Sequence, residues 1–550
     1  MNILSRRELL IGGSAFATIA GLRPLQTFAG DAARPSLPLP AELKADANGD
    51  IAFSATTGSI SFAPGQMTPT YGYNGAFLGP ALRLRRGKSV AIDFANNLDE
   101  PTTVHWHGLV IPGDVDGGPH QPVAPGTHWQ PTLPIDQPAA TLWFHPHFYP
   151  TTAAQVIKGL AGLIIVEDDD TDRLPLPSRW GVDDIPLIIQ DRRFQSDGEF
   201  FDRMNIISVV NGYVGTVPLV NGVRYPEAKT ARGWIRLRLL DGSNARSYLL
   251  KASDDRSLYV IGSDGGLLEN PVEVKQLKMF AGERFEVLVD CRSGAPFDIV
   301  ALPVGEAIMK LPPFDMPVPL VTIRPDGADG SGTLPDALAK LPPMPAELPP
   351  VSQELVMNMF RDEAGMMPLM KAGLMMGMGG GAMAMDHGSM ADMPGMSHDT
   401  MPGMQGMSDA MPSAEVVARV TKLIEDSPEL SMSEQLAANG VNGKPFAMGG
   451  GSGFVASRGE TLHWKISEDT DKMLHPVHVH GCQFRIVSEN GKPPEAYRAG
   501  WKDIAPIENA GTADILVSFP HKADAAAPYM AHCHILEHED SGMMTHFTVA

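Results

Sequence analysis

Four histidine pairs share one spacing: His105-Trp106-His107, His145-Pro146-His147, His478-Val479-His480 and His532-Cys533-His534. The chain has 17 histidines in 550 residues, so chance placement would give fewer than one such pair. Residues i and i+2 of an extended segment share a face, and each pair therefore presents two imidazoles side by side. A single pair reads as well as a structural histidine or half of a zinc site. Four pairs read as a metal-ligand set, and copper fits because imidazole suits it and the Irving-Williams order favours it.

Cys533 lies between His532 and His534. In an extended segment its sulfur points away from both imidazoles, so one strand serves two sites. His475 precedes His478 by an odd number of residues and can leave the face used by His478 and His480. His538 and Met543 follow Cys533 closely enough for a turn to bring them back around the sulfur. Two histidines, a thiolate and a weak axial methionine form the blue-copper electron-transfer set. A cysteine nucleophile with a histidine base is the competing reading, and it leaves the flanking imidazoles unexplained. A thiolate bonded through the chain to two histidines of another cluster suits an oxidase with separate electron entry and exit sites.

The elements that must hold these ligands are strands. With 56 Gly and 48 Pro, well above average usage, the chain is turn-dense, which excludes a helical bundle. A unit recurs three times. Asn74-Gly75 leads to Arg86-Gly87 and Val90, Ile92, Phe94; Asn221-Gly222 leads to Arg232-Gly233 and Ile235, Leu237, Leu239; Asn442-Gly443 leads to Arg458-Gly459 and Leu462, Trp464, Ile466. Alternation after a turn signal predicts a half-buried strand, and its recurrence predicts three copies of one β-sandwich. The expected division is a leader at 1–29, domains at 30–170, 171–335 and 336–550, and an insert at 357–411 expected to lie outside the packed core. A Pro-, Gly- and Ala-rich linker from Pro325 to Pro350 leads into the third domain.

The formal net charge of -21 would repel a phosphate backbone and argues against nucleic acid. No apolar run is long enough for a membrane-spanning helix, and a monomer is expected. Ser5-Arg6-Arg7-Glu8-Leu9-Leu10, an apolar stretch to about Ala20 and Thr27-Phe28-Ala29 read as a twin-arginine export signal with a cleavage site, which predicts a periplasmic protein. Three cysteines, Cys291, Cys482 and Cys533, are an odd number for a disulfide framework.

The segments His105 to Gly108, Trp143 to His147, Met473 to Gly481 and His532 to Met543 resemble those of three-domain multicopper oxidases, most closely the bacterial periplasmic copper-efflux (cuprous) oxidase type. The resemblance implies an all-β fold of three cupredoxin-like Greek-key sandwiches. It implies four copper ions: type 2 on His105 and His478, one type 3 ion on His107, His145 and His534, the other on His147, His480 and His532, and type 1 on His475, Cys533, His538 and Met543. Asp116 stands where the family places a carboxylate near the type 2 water, and Glu539 follows His538; both are expected to relay protons. After His147 the chain reads Phe148-Tyr149-Pro150, where relatives often carry a further His and Gly.

The insert holds 17 of the 30 methionines. Met390, Met393, Met396, Met401, Met404 and Met407 recur among helix breakers, with His387 and His398 nearby. Exposed thioethers select Cu(I), so the insert is expected to recruit copper. The family's substrate-copper ligands match Met357, Asp362, Asp471 and Met473, with Met359 near enough to shift that match by two. The expected activity is oxidation of Cu(I) by O2, giving copper tolerance. The alternatives are a laccase-like phenol oxidase or Fe(II) oxidase, a copper-sequestering periplasmic protein, and a structural cupredoxin-fold protein without copper.

Overall fold

The computed structural model describes residues 34–305, 307–373, 414–449, 453–469 and 472–550. The twin-arginine motif, Asp471, His387, His398 and the recurrent methionines lie outside the described residues.

The repeated Asn-Gly and Arg-Gly steps have a physical basis. Asn74, Asn221 and Asn442 take φ of 55°, 49° and 52°, and Gly87, Gly233 and Gly459 also have positive φ, a region that favours Asn and Gly over other residues. Each Asn side chain then accepts a backbone N–H from the long first strand of its domain: Ser54 at 2.8 Å, Ile188 at 2.7 Å and Val356 at 2.8 Å. Each Asn N–H donates back to the carbonyl of that same residue. The strand after each Arg-Gly step pairs in parallel with that first strand: Asp50–Ala63 with Lys88–Asn97, Asp184–Arg192 with Trp234–Asp241, and Val351–Met359 with Leu462–Glu468.

Six sheets result, two for each sandwich. In the first domain a four-stranded sheet carries Ala140–Phe144 and Gly162–Glu167, facing a five-stranded sheet with Asp50–Ala63 at its centre. The second domain pairs six strands with five, and the third pairs five with five. Each sandwich encloses its own core, around Phe53, Ile92 and Phe94 in the first, Leu237, Phe285 and Val287 in the second, and Trp464, Ile515 and Phe547 in the third.

The expected half-buried alternation holds along Lys88–Asn97 and fails along Trp234–Asp241, which is buried on both faces. Arg236 and Arg238 occupy its outward face and meet the buried Glu286 and Asp184, and Thr141 of the first domain donates to Glu286. A strand whose polar face is covered by a neighbouring domain reads as amphipathic in sequence yet is wholly buried.

The insert is shorter than its methionine content suggested. Residues 357–373 belong to the fold, correcting the expectation that all of 357–411 lies outside the core. The strand Val351–Met359 ends inside the reading, and the helix Asp362–Lys371 follows. Leu369 from this helix, and Val416, Val420 and Ile424 from the helix Ala414–Asp426, pack with Phe280 and Leu474 in one apolar cluster. Both described ends of the insert therefore stand over the segment just before His475.

Candidate metal centre

Each histidine pair is held at a junction of strands or strand ends. His105 and His145 bridge antiparallel, and the His105 N–H donates to the His145 carbonyl at 2.8 Å. The strands His475–Val479 and Tyr529–Cys533 pair with His478 opposite His532 and Val477 opposite Cys533. Ring centroids within the four pairs lie 5.8, 6.4, 4.9 and 5.8 Å apart. The two strands bring the third-domain pairs onto the first-domain pairs, and His107 stacks on His478 at 3.7 Å and His105 on His480 at 3.8 Å.

Among the described residues, ligand atoms converge within 4.8 Å in His107, His145 and His534; in His147, His480 and His532; in His105, His478 and His480; in His475, Cys533 and His538; and in His107, His478 and Asp503. The first two groups have the same members as two of the sets inferred above, the fourth contains three of the four members of the type 1 set, and His105 Nε2 lies 3.4 Å from His478 Nε2. Met543 is buried beside the fourth group. Its carbonyl accepts the Cys533 N–H at 3.1 Å and its N–H donates to the His538 carbonyl at 2.9 Å. Cys533 Sγ is 3.5 Å from His538 Nδ1.

The imidazoles have one nitrogen anchored and the other turned inward. His105 Nδ1 faces the Asp116 carbonyl at 3.0 Å and His478 Nδ1 the Asp503 carbonyl at 2.8 Å. His480 Nδ1 meets the Asp116 carboxylate at 2.7 Å, while His147 Nδ1 and His532 Nδ1 each lie 3.2 Å from Glu539. Carbonyls and the Asp116 carboxylate accept only, so Nδ1 of His105, His478 and His480, and of His532 through the Cys533 carbonyl at 3.0 Å, carries a proton and the matching Nε2 presents a lone pair. Nε2 of His532 lies 3.2 Å from His480 Nε2 and 3.3 Å from His147 Nε2. The neutral acceptors of His480 and His532, aimed at one another, repel unless a cation lies between them. His107 Nδ1, His145 Nε2 and both nitrogens of His534 are buried without a protein partner, as ligand nitrogens would be. Burial holds His107, His145, His147, His478, His480 and His534 well below the usual histidine range and His532 at about 3, the neutral form that binds a metal. The donor set fits copper.

Both expected proton relays stand against cluster histidines: Asp116 is on His480 Nδ1, where such a partner fixes tautomer and orientation, and Glu539 lies 3.2 Å from Nδ1 of His147 and of His532. The helix Leu536–Asp540 distributes four consecutive buried groups around one turn. Glu537 accepts from Asn244 and the Tyr213 N–H, His538 faces Cys533, Glu539 faces His147 and His532, and Asp540 accepts the N–H groups of Thr152 and Ala153. Burial raises Glu539 well above the carboxylate range and Asp540 to about 8.

Two groups escaped sequence reasoning. Asp503 Oδ1 lies 3.1 Å from His107 Nε2 and 2.6 Å from Arg284 Nη1. His107 is thereby left with Nδ1 as its inward nitrogen. A second-domain arginine, a third-domain carboxylate and a first-domain histidine form one chain. The signal was a Lys-Asp step entering the apolar strand Ile504–Ile507. Glu468, with its side chain fully buried, comes within 3.9 Å of His475 Nε2.

The proposed substrate-copper ligands fare unevenly. Met357 is wholly buried in the third-domain core with Leu355, Ile466 and Met543, its side chain on the inner face of its strand. Met359, two residues on, is partly buried on the margin of that core. Met473 is buried, and Asp362 lies partly exposed in the first turn of its helix.

Sequence models described as "Multicopper oxidase" match residues 54–171 and 419–550. The multicopper oxidase mco of Staphylococcus aureus is 33% identical across 91% of this chain and 89% of its own length. The chain belongs to the multicopper oxidase family, an oxidoreductase family of cupredoxin fold that binds copper and uses dioxygen. Cell division protein FtsP of Xenorhabdus nematophila is 32% identical over 98% of this chain and 97% of its own. Among solved structures, the laccase-like multi-copper oxidase CueO of Ochrobactrum sp., described with oxidase activity towards lignin model compounds and lignosulfonate, superposes with a TM-score of 0.74 and 34% identity, covering 94% of this chain and all of that one.

Proposed function

We propose that this chain is a cuprous oxidase, exported by the twin-arginine pathway to the periplasm as a monomer, that protects against copper by converting Cu(I) to Cu(II) at the expense of O2. Four Cu(I) and four protons reduce one O2 to two waters. The observation that carries the oxidase reading is the convergence of ring nitrogens from His147, His480 and His532, beside a separate cysteine group one residue away in the chain. Copper bound there, as four ions in type 1, type 2 and paired type 3 sites, would supply one-electron acceptance from substrate and four-electron delivery to O2.

The chain's own residues do the rest. Cys533 is joined to His532 and His534 by a single peptide link on either side, giving a bonded path between the clusters. Asp116 and Asp503 hold imidazole tautomers, and Glu539, kept protonated by burial, can give a proton beside His147 and His532. Preference for Cu(I) rests on the methionine-rich insert and on Met357, Asp362, Asp471 and Met473, the residues that match the family's substrate-copper ligands.

A phenol-oxidising reading is favoured by the likeness to the Ochrobactrum protein. Against a structural cupredoxin-fold protein without copper weighs the convergence of the buried ligands. Oxygen uptake with Cu(I), Fe(II) and a phenol on one preparation separates these readings: Cu(I) should be oxidised with the highest kcat/KM, and a phenol oxidised at equal or greater efficiency would overturn the cuprous assignment.

A further inference from the structure

A cavity of about 630 Å³ lies where the Pro-rich linker meets the third domain, with none of the Cys533 group in its lining. Its volume falls within the range of small-molecule sites. Its apolar walls include Pro138, Pro342, Pro345 and Pro520, with Trp501 among them, rigid surfaces that suit a flat ring.

Two polar groups in this wall are buried without a partner: Gln483 Oε1 and Arg485 Nε. Gln483 is held in one orientation, because its Nε2 donates to the Gly108 carbonyl and to Asp503 Oδ2, both at 2.9 Å. Its oxygen is left as an acceptor over Gly265, where a Cβ would come within 2.2 Å of it. Arg485 donates through Nη1 to the Pro342 carbonyl at 3.3 Å and lies 5.9 Å from the Trp501 ring centroid, leaving Nε as a free charged donor. Residues 483 and 485 share a face of one chain segment, about 6.6 Å apart along it, roughly the span of one para-substituted ring.

We propose that this cavity binds a hydroxylated aromatic acid, with its carboxylate on Arg485, its ring against Trp501 and the prolines, and its hydroxyl donating to Gln483 Oε1. A carboxylate is the best acceptor for a guanidinium N–H, and buried unpaired donors and acceptors are the groups a ligand should satisfy. The one carboxylate in the lining, Asp136, is exposed at the rim, 3.8 Å from Arg86, and does not face the inner end. Gln483 also links the cavity through Asp503 to His107. The proposal stands independently of which reductant the oxidase uses.

The test is calorimetric titration of the full chain, reduced and under nitrogen so that no turnover consumes the probe, with 4-hydroxybenzoate. One molecule should bind per chain. Benzoate, which lacks the hydroxyl, and 4-hydroxybenzyl alcohol, which lacks the carboxylate, should each bind roughly tenfold or more weakly. Arg485→Leu should lose affinity for the acid by a similar factor, and Trp501→Leu should remove ligand-induced quenching of tryptophan emission. No binding, equal affinity for the three compounds, or full affinity in Arg485→Leu would overturn the proposal. The ligand series on the unaltered chain decides the matter without relying on how any variant folds.

Discussion

Cys533 and Asp503 make the sharpest demands on single side chains. Cys533→Ser removes the sulfur and leaves every imidazole of the other groups in place, so the intense blue thiolate-to-copper absorption should vanish while copper still binds the remaining histidines. Absorption and copper analysis of the purified variant check this; a variant that stays blue with full oxidase rate contradicts the assignment. Asp503→Asn keeps the shape and discharges the partner of the buried Arg284. Stranding one member of a buried ion pair costs about 3–5 kcal/mol, so the midpoint of thermal unfolding should fall. His107 should also lose its preference for Nδ1 as the inward nitrogen, lowering copper retained per chain. Unchanged copper content with a lowered unfolding midpoint would leave Asp503 a structural role only.

At the scale of elements, the three asparagines clamp corresponding strands, and their removal should cost stability in proportion to burial. Asn221 is buried, and Asn221→Ala removes the acceptor for the Ile188 N–H while placing a Cβ residue at positive φ without a local hydrogen bond. A loss of about 2–4 kcal/mol follows, readable by denaturant unfolding, whereas the exposed Asn442→Ala should lose less. Equal losses at both sites would argue that burial does not govern the effect. The insert's described ends are helices packed over Leu474, so a deletion that respects the fold removes 374–411 and keeps both helices. Such a variant should oxidise Cu(I) more slowly at low copper and bulky phenols faster. Steady-state kinetics with both substrates should move in opposite directions, which loss of folded protein cannot produce because it lowers both.

These elements also show what the sequence could and could not reveal. His-x-His spacing, the Cys533 parity and the Asn-Gly and Arg-Gly repeats depend on local geometry, which period-two patterning exposes directly. The two-sided burial of Trp234–Asp241 depends on a neighbouring domain, and nothing local signals it. Asp503 acts across domains and Glu468 from one sheet of the third domain to His475 in the other, and a lone carboxylate beside an apolar run looks like a strand end. The burial of Met357 was not legible because a methionine beside a methionine-rich segment reads as part of it.

Across the whole molecule, buried charge joins the domains. Glu286 is held at about 2 by Arg236 and Arg238 despite burial, which acts in the opposite direction. Its folded value lies below its ordinary value of 4.5, so its contribution is present above pH 4.5 and is lost as the pH falls toward 2. That contribution is on the order of 3 kcal/mol. Unfolding midpoints measured from pH 6 to pH 3 should therefore fall, and Glu286→Gln, already lacking the charge, should show a shallower decline. Parallel declines would place the acid sensitivity elsewhere.

The measurement that bears most directly on the central claim is copper content together with the ratio of Cu(I) oxidised to O2 consumed, made on one preparation. The account predicts four tightly held copper ions per chain and four Cu(I) oxidised for each O2, with water as the product. A chain that retains no copper after loading, or that consumes one O2 for every two Cu(I) and releases peroxide, would contradict it.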